Sequence, residues 1–141
     1  MKIKAYVDGS YNATKNIYGS GIVIIFPDGT IIKKSLSGNN SELAAMRNVA
    51  GEILGAQYVM EYCVDNNIKE LELYYDYTGI EYWCTGEWKA NKKETQYYKD
   101  FYNYVVTGTV DVKFTKIKAH SGNTFNDIAD ELAKIAAEIE D

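Results

Sequence analysis

The 141-residue chain predicts an α/β domain built on a five-stranded mixed sheet, three antiparallel strands followed by two parallel additions, with helices flanking it. Three observations predict it. β-Rich runs separated by turn signals open the chain. A long stretch of helical periodicity follows, after which strands alternate with helical pieces. A last stretch of helical period closes the sequence.

Ile3 to Val7 reads as the first strand, broken at Asp8-Gly9-Ser10. Gly21 to Phe26 is the second, rich in β-branched residues. Pro27-Asp28-Gly29-Thr30 puts Pro and Gly where a type I turn favours them, and Thr30 to Leu36 returns as the third strand. From about Met46 to Asn66 the apolar residues Ile53, Ala56, Val59, Met60 and Cys63 recur at helical spacing, and Asn66-Asn67 ends the helix. Leu71 to Tyr75 is the fourth strand and closes on Asp76. Short helical pieces are expected near Gly79 to Cys84 and Glu94 to Val106, and Val110 to Ile117 alternates as the fifth strand. The final helix is expected from near Asn126 to the end, with Ile128, Leu132, Ile135 and Ile139 inward. Thr124 and Asp127 form a capping signal at its start.

No repeat, low-complexity tract or linker divides the sequence, so one domain over residues 1–141 is the natural reading. That length can bury a core without staples. The longest apolar runs, such as Ile22 to Phe26, are far too short to span a membrane. The MKIKAYVDGS start lacks the apolar region of a signal peptide, and a cytoplasmic protein with no membrane partner is expected. Cys63 and Cys84 have no close Cys or His companion, which argues against a zinc site and a disulfide framework. The net charge of −5 argues weakly against binding nucleic acid by bulk attraction. Lys89, Lys92, Lys93 and Lys99 nevertheless cluster, and carboxylates that hold cations leave a site less negative than the formal sum. With no exposed apolar stripe evident, a monomer is expected.

Acids stand at informative places. Asp8 ends the first strand, where Gly9 lets the chain turn, and Asp76 ends the fourth. If those strands are parallel neighbours, both carboxylates emerge at the carboxyl edge, where open α/β sheets place ligands. Glu52 lies on the long helix one turn after Asn48, beside Gly51 and Gly55. Each glycine costs a helix roughly 1 kcal/mol against Ala, so the pair implies close approach of the sheet or of a substrate backbone. The last helix offers Asp127, Asp130 and Glu131. Asp127 is explained by capping, whereas Asp130, between Ala129 and Leu132 with Glu131, is expected to be half-buried and to need a partner. Four carboxylates on rigid elements suit two Mg²⁺ ions about 3.5–4 Å apart, one preparing the attacking water and one stabilising the leaving 3′ oxygen. No G-x-S-x-G elbow or Cys–His pair offers a protein nucleophile.

These residues resemble a family. Val7-Asp8-Gly9-Ser10 is similar to the opening motif of type 1 ribonucleases H, and Asn48-x-x-x-Glu52 to their helix motif. Tyr75-Asp76-Tyr77-Thr78-Gly79-Ile80 resembles their strand-end aspartate with the short helix after it. His120-Ser121-Gly122 with Asp130-Glu131-Leu132-Ala133 resembles their closing motif. The resemblance covers essentially the whole chain. It implies a ribonuclease H-like fold and metal-dependent cutting of the RNA strand of an RNA–DNA hybrid, leaving 5′-phosphate and 3′-hydroxyl ends. It implies that Asp8 bridges two Mg²⁺ ions, for which Mn²⁺ substitutes. Glu52 and Asp76 would complete one metal site, and Asp130 the other. His120 would sit on a mobile loop and aid proton transfer or product release.

The same resemblance places Asn48 in the minor groove, where 2′-hydroxyls distinguish RNA from DNA, and Asn12, in the loop after the first strand, is a weaker candidate for the same role. Departures from the family's pattern mark further substrate candidates. Thr78 stands where Gln is common, and Arg47 where a hydroxyl or amide residue contacts a DNA phosphate. Trp88 and Lys89, with Lys92 and Lys93, look like a reduced version of a longer basic handle. Weaker binding with steeper salt dependence is expected.

Taken singly, each residue has a plainer reading. Asp8 suits a turn, Glu52 a solvated helix face, Asp76 a helix cap, Asp130 a helix start and His120 a loop. Trp83, Trp88 and the tyrosines suit packing better than base stacking. All the plain readings must hold together to displace the nuclease. Two alternatives are a silent hybrid-binding module and another nuclease of this fold, such as a resolvase or transposase core. The four acids speak against the first, and the chain's small size and closing His motif against the second.

Overall fold

The computed structural model describes residues 1–118 and 122–139. In chain order the elements are β1 (Lys2–Asn12), β2 (Ile17–Ile25), β3 (Ile31–Gly38), α1 (Ser41–Ala44), α2 (Asn48–Asp65), β4 (Glu70–Tyr75), α3 (Gly79–Thr85), α4 (Lys93–Phe101), β5 (Asp111–Lys116) and α5 (Thr124–Ala136). The strand order is β3-β2-β1-β4-β5, in a five-stranded sheet. β1, β2 and β3 pair antiparallel, and β4 and β5 join in parallel, as the sequence predicts.

Alternation along β1 divides the core. Ile3, Ala5 and Val7 pack with Ile53, Ala56, Val59 and Met60 of α2 and with Leu71 and Leu73 of β4. Tyr6 and Val23 face the other way, against Ala129 of α5. Both cysteines are buried in the α2-side core, and burial pushes each thiol up to about 12. The turn after β2 forms as expected, with Gly29 N–H donating to the Phe26 carbonyl at 3.0 Å. Asn66 and Asn67 end α2, and Asn67 takes a left-handed φ of 58°.

The first strand does not break at Asp8. It runs on to Asn12, paired with β2 from Lys4↔Ile25 to Asn12↔Ile17. What stops near Asp8 is the parallel pairing with β4, whose last register is Tyr6↔Tyr74. Gly9 is therefore a strand residue, and its role is close approach. A Cβ there would stand 1.9 Å from the Asn48 carbonyl oxygen of α2. Gly51 answers it from the helix, where a Cβ would meet the Gly19 carbonyl oxygen at 2.0 Å. The approach anticipated for the helix glycines is thus to the sheet.

The last helix also departs from expectation. It ends at Ala136, and Ile135 is 66% exposed. The reason lies in β2, where Gly21 meets α5 so closely that a Cβ would stand 1.8 Å from the Ala129 carbonyl oxygen. Only a small-residue face fits there. Ala129 and Ala133 turn inward, Ile128 and Leu132 pack at the margin, and Ile135 is displaced outward. The cap is Asn123, whose Oδ1 accepts from Phe125 N–H at 3.0 Å and Asn126 N–H at 3.1 Å, and not Thr124. The short α1 is absent from the sequence reading, and the piece expected over Glu94 to Val106 divides into α4 and a π-helical turn at Tyr102–Val106.

Candidate functional site

The close stacking just described sets where four carboxylates emerge. Asp8 comes from β1 beyond the last β4 pair, Glu52 from the second turn of α2, Asp76 from the residue after β4, and Asp130 from α5. With Gly9 against Asn48 and Gly21 against Ala129, α2 and α5 lie tight on opposite faces of the sheet, and each delivers its acid to the Asp8 edge.

Glu52 is the most buried of the four, at 4% exposure. Its Oε1 accepts backbone N–H bonds from Asp76 at 2.7 Å and Tyr77 at 3.0 Å. Burial pushes its carboxyl up to about 7; the Tyr77 and Asp76 bonds oppose this, the Asp76 charge adds to it, and Lys116 offsets a little. Asp8 is pushed up to about 8, first by burial and then by the Glu52 charge. The Gly9 N–H, 2.9 Å from Oδ1, pulls the other way, while the charge of Asp130 and a hydrogen bond with it push further up. Asp130 is half-buried, as expected, and pairs with Lys134 one turn later at 3.2 Å. Asp127 is exposed, in keeping with a role at the helix start.

The acids meet pairwise, Asp8 with Glu52 and Asp130, Glu52 with Asp76. Among the described residues no three His, Cys, Asp or Glu side chains close around one point. Glu52 explains part of this, since one of its oxygens is turned to the Asp76 and Tyr77 amides that follow β4. A hydrogen bond between Asp8 and Asp130 requires a proton on one of them. A divalent cation is the group that replaces such a proton and neutralises the cluster, and an all-oxygen donor set suits a hard ion of the Mg²⁺ type.

The other candidates are distributed around this edge. Asn48 and Arg47 are exposed at the start of α2. Arg47 holds a left-handed φ of 57°, and its guanidinium carbon lies 5.7 Å from the centre of the Tyr11 ring. Asn12 ends β1, and its amide is engaged at home. Oδ1 accepts from Thr14 and Lys15 N–H at 3.1 Å each, and Nδ2 donates to the Glu138 carbonyl at 3.1 Å. Thr78 stands at the cap position before α3, and its side chain makes no cap bond. Trp88 is 38% exposed and meets Tyr77, Tyr82 and Trp83 edge-on, while Lys89 is exposed. His120 lies outside the described residues.

Sequence reasoning missed three contributors. The Asp76 and Tyr77 amides carry no side-chain signal. Tyr11 reveals itself only through the partner above it. Lys134 was legible, because a cation four residues after Asp130 shares its helix face.

The RNase H family model matches residues 1–138. A Ribonuclease H from Pseudoalteromonas translucida is 28% identical over 142 residues, covering 96% of this chain and 89% of that protein. One from Wolbachia of Drosophila simulans is 23% identical, covering 96% and 94%. Among solved structures, RNase H1 from the halophilic archaeon Halobacterium salinarum superposes with a TM-score of 0.77 at 23% identity, covering 98% of each chain. LC11-RNase H1, solved in complex with an RNA/DNA hybrid, does so with a TM-score of 0.75 at 19% identity, covering 96% of each. At these identities the structural likeness shows the fold.

Proposed function

Because the chain belongs to the RNase H family, matched over residues 1–138, we propose that it cuts the RNA strand of RNA–DNA hybrids endonucleolytically, as a single catalytic domain, at the Asp8 edge of the sheet. The products carry 5′-phosphate and 3′-hydroxyl ends. The observation that carries this reading is the mutual proximity of Asp8 with Glu52 and Asp130, and of Glu52 with Asp76.

Asp8, Glu52, Asp76 and Asp130 would hold two Mg²⁺ ions, with Mn²⁺ as a substitute. Such ions activate water and stabilise a departing 3′ oxygen. The chain's own part is positioning. β1 presents Asp8 from a strand paired to Asn12 on the β2 side. The Asp76 and Tyr77 amides fix Glu52 through Oε1, and its second oxygen would be the one to meet a cation. Lys134 steadies Asp130. Asn48, exposed and one turn before Glu52, would read the minor groove, where the 2′-hydroxyl marks RNA. Arg47 and Lys89 would contact phosphates, Thr78 would line the same surface, and Trp88 would offer its exposed edge to the backbone. His120 would aid proton transfer or product release.

Among the described residues no helix is long and apolar enough to cross a membrane. Two buried free thiols support a reducing, cytoplasmic setting, and we take the acting species to be a monomer.

The test is a labelled RNA–DNA hybrid with Mg²⁺, Mn²⁺ or EDTA, beside Asp8→Asn and matched RNA and DNA duplexes. Metal-dependent cutting of only the hybrid's RNA strand, lost in the variant, is expected. Binding without cutting would point to a silent hybrid-binding module. Cutting of the DNA duplex would overturn the ribonuclease reading.

A further inference from the structure

The end of α5 is tied to the turn between β1 and β2. Residues 13–16 of that turn are all exposed, with no core packing of their own. Asn12 organises the turn from within through the Thr14 and Lys15 amides. Glu138 holds it from outside. Its carbonyl accepts the Asn12 side-chain amide at 3.1 Å, and its carboxylate pairs with Lys15 Nζ at 2.9 Å.

Glu138 is an unexpected residue at its position. It closes α5 with a φ of 59°. Its N–H donates to the Ile135 carbonyl at 3.1 Å, and the next N–H, from Ile139, reaches the Lys134 carbonyl at 3.0 Å. This two-bond helix ending normally uses glycine at the left-handed residue. A side chain there costs about 1–2 kcal/mol. A glycine would relieve that cost and would lose the carboxylate that engages Lys15.

The tie bears on the site through geometry. Asn12 and Asp8 point to the same side of β1, four residues or about 13 Å apart. Asp130 and Glu138 are eight residues apart on α5 and its ending, about 12 Å. Strand and helix therefore run side by side, with Asp8 beside Asp130 at one end and Asn12 beside Glu138 at the other. A hybrid duplex cut at Asp8 and following β1 would reach this turn, about 13 Å away, within a few base steps.

We propose that Glu138 is a positioning residue for hybrid binding: through Lys15 and Asn12 it holds the β1–β2 turn as a fixed lip against which the duplex rests. The proposal rests on the hybrid-cutting function above. An ordered lip removes part of the ordering cost of binding, so its loss raises KM and leaves the chemistry untouched.

The test compares wild type, Glu138→Gly and Lys15→Gln in steady-state hybrid cleavage, thermal melting and amide exchange. Expected for Glu138→Gly are an equal or higher Tm, faster exchange at residues 13–16, an unchanged kcat and a KM raised roughly three- to tenfold. Lys15→Gln should raise KM similarly without touching the helix ending, and it decides the matter if Glu138→Gly melts lower. Unchanged KM in both variants would overturn the proposal and reduce Glu138 to an ordinary helix end. Wild type that neither cuts nor binds hybrid would instead remove the function on which the proposal rests, a result read from the wild-type reaction alone.

Discussion

Glu52 and Asp76, two acids on different elements, are joined through the backbone of one and the side chain of the other: the Asp76 N–H donates to Glu52 Oε1 at 2.7 Å. One carboxylate thus serves the fold and the site together. Glu52→Ala should lose cleavage and also destabilise the protein by about 1–3 kcal/mol, because the Asp76 and Tyr77 amides are left unpaired. Glu52→Gln keeps an acceptor for them and should retain most of the stability while cleavage still falls. Urea unfolding beside hybrid cleavage separates the two effects.

Stability without divalent metal should fall as pH rises. Asp8 and Glu52 hold their protons up to about 8 and about 7 in the native protein, against roughly 4 in an unfolded chain. The folded state therefore binds more protons between about pH 4 and pH 8, and over that window it loses stability with increasing pH. A decline in Tm across the window in EDTA, flattened by Asp8→Asn and reversed by Mg²⁺, is the expected result. A Tm in EDTA that rises over the same window would contradict the burial assigned to these acids.

Gly21→Ala should be severely destabilising. Its Cβ would stand 1.8 Å from the Ala129 carbonyl oxygen, which is backbone and cannot rotate away. We expect a loss of about 3 kcal/mol or more, at or beyond the upper end for overpacking, since α5 must lift off the sheet. Cleavage should fall further than stability alone explains, because Asp130 moves with the helix. Activity measured well below the variant's Tm tests this.

Arg47→Gly should trade affinity for stability. Glycine relieves the left-handed φ of 57° and removes a cation from the start of α2. Relief of the left-handed φ, about 1–2 kcal/mol, outweighs the extra unfolded-chain entropy of glycine, about 0.4–1 kcal/mol, so a small net gain is expected, with weaker hybrid binding and a shallower dependence of affinity on salt. An unchanged salt slope would take Arg47 away from the phosphates.

The elements and their pairing were readable because each has a local cause. β-Branched runs, Pro27-Asp28-Gly29 and the Ile53-to-Cys63 period act over a few residues. Asp76 was readable as a strand-end acid and Glu52 as one turn from Asn48, whereas Asp8 and Asp130 lie inside β1 and α5 and stood out only through Gly9 beside the one and the apolar neighbours of the other. What escaped the sequence is non-local. Nothing near Asp8 says that β2 extends it while β4 does not, since both partners lie elsewhere in the chain. The outward turn of Ile135 depends on the glycines of β2, more than a hundred residues earlier. The engagement of Asn12 depends on Glu138, which no spacing rule connects to it.

The sheet order has a consequence for synthesis. Asp8 is made first and lies at the centre of the sheet, while Asp130 arrives on α5, after every strand. A growing chain can pair β1, β2 and β3 long before it carries its fourth carboxylate. Since domains emerge from the ribosome in chain order, the nascent protein is for a time a sheet that lacks the last of the four carboxylates. On the metal site proposed above, hydrolytic competence would be acquired only once α5 has been made and docks, and copies still lacking it would be inert beside the messenger that encodes them.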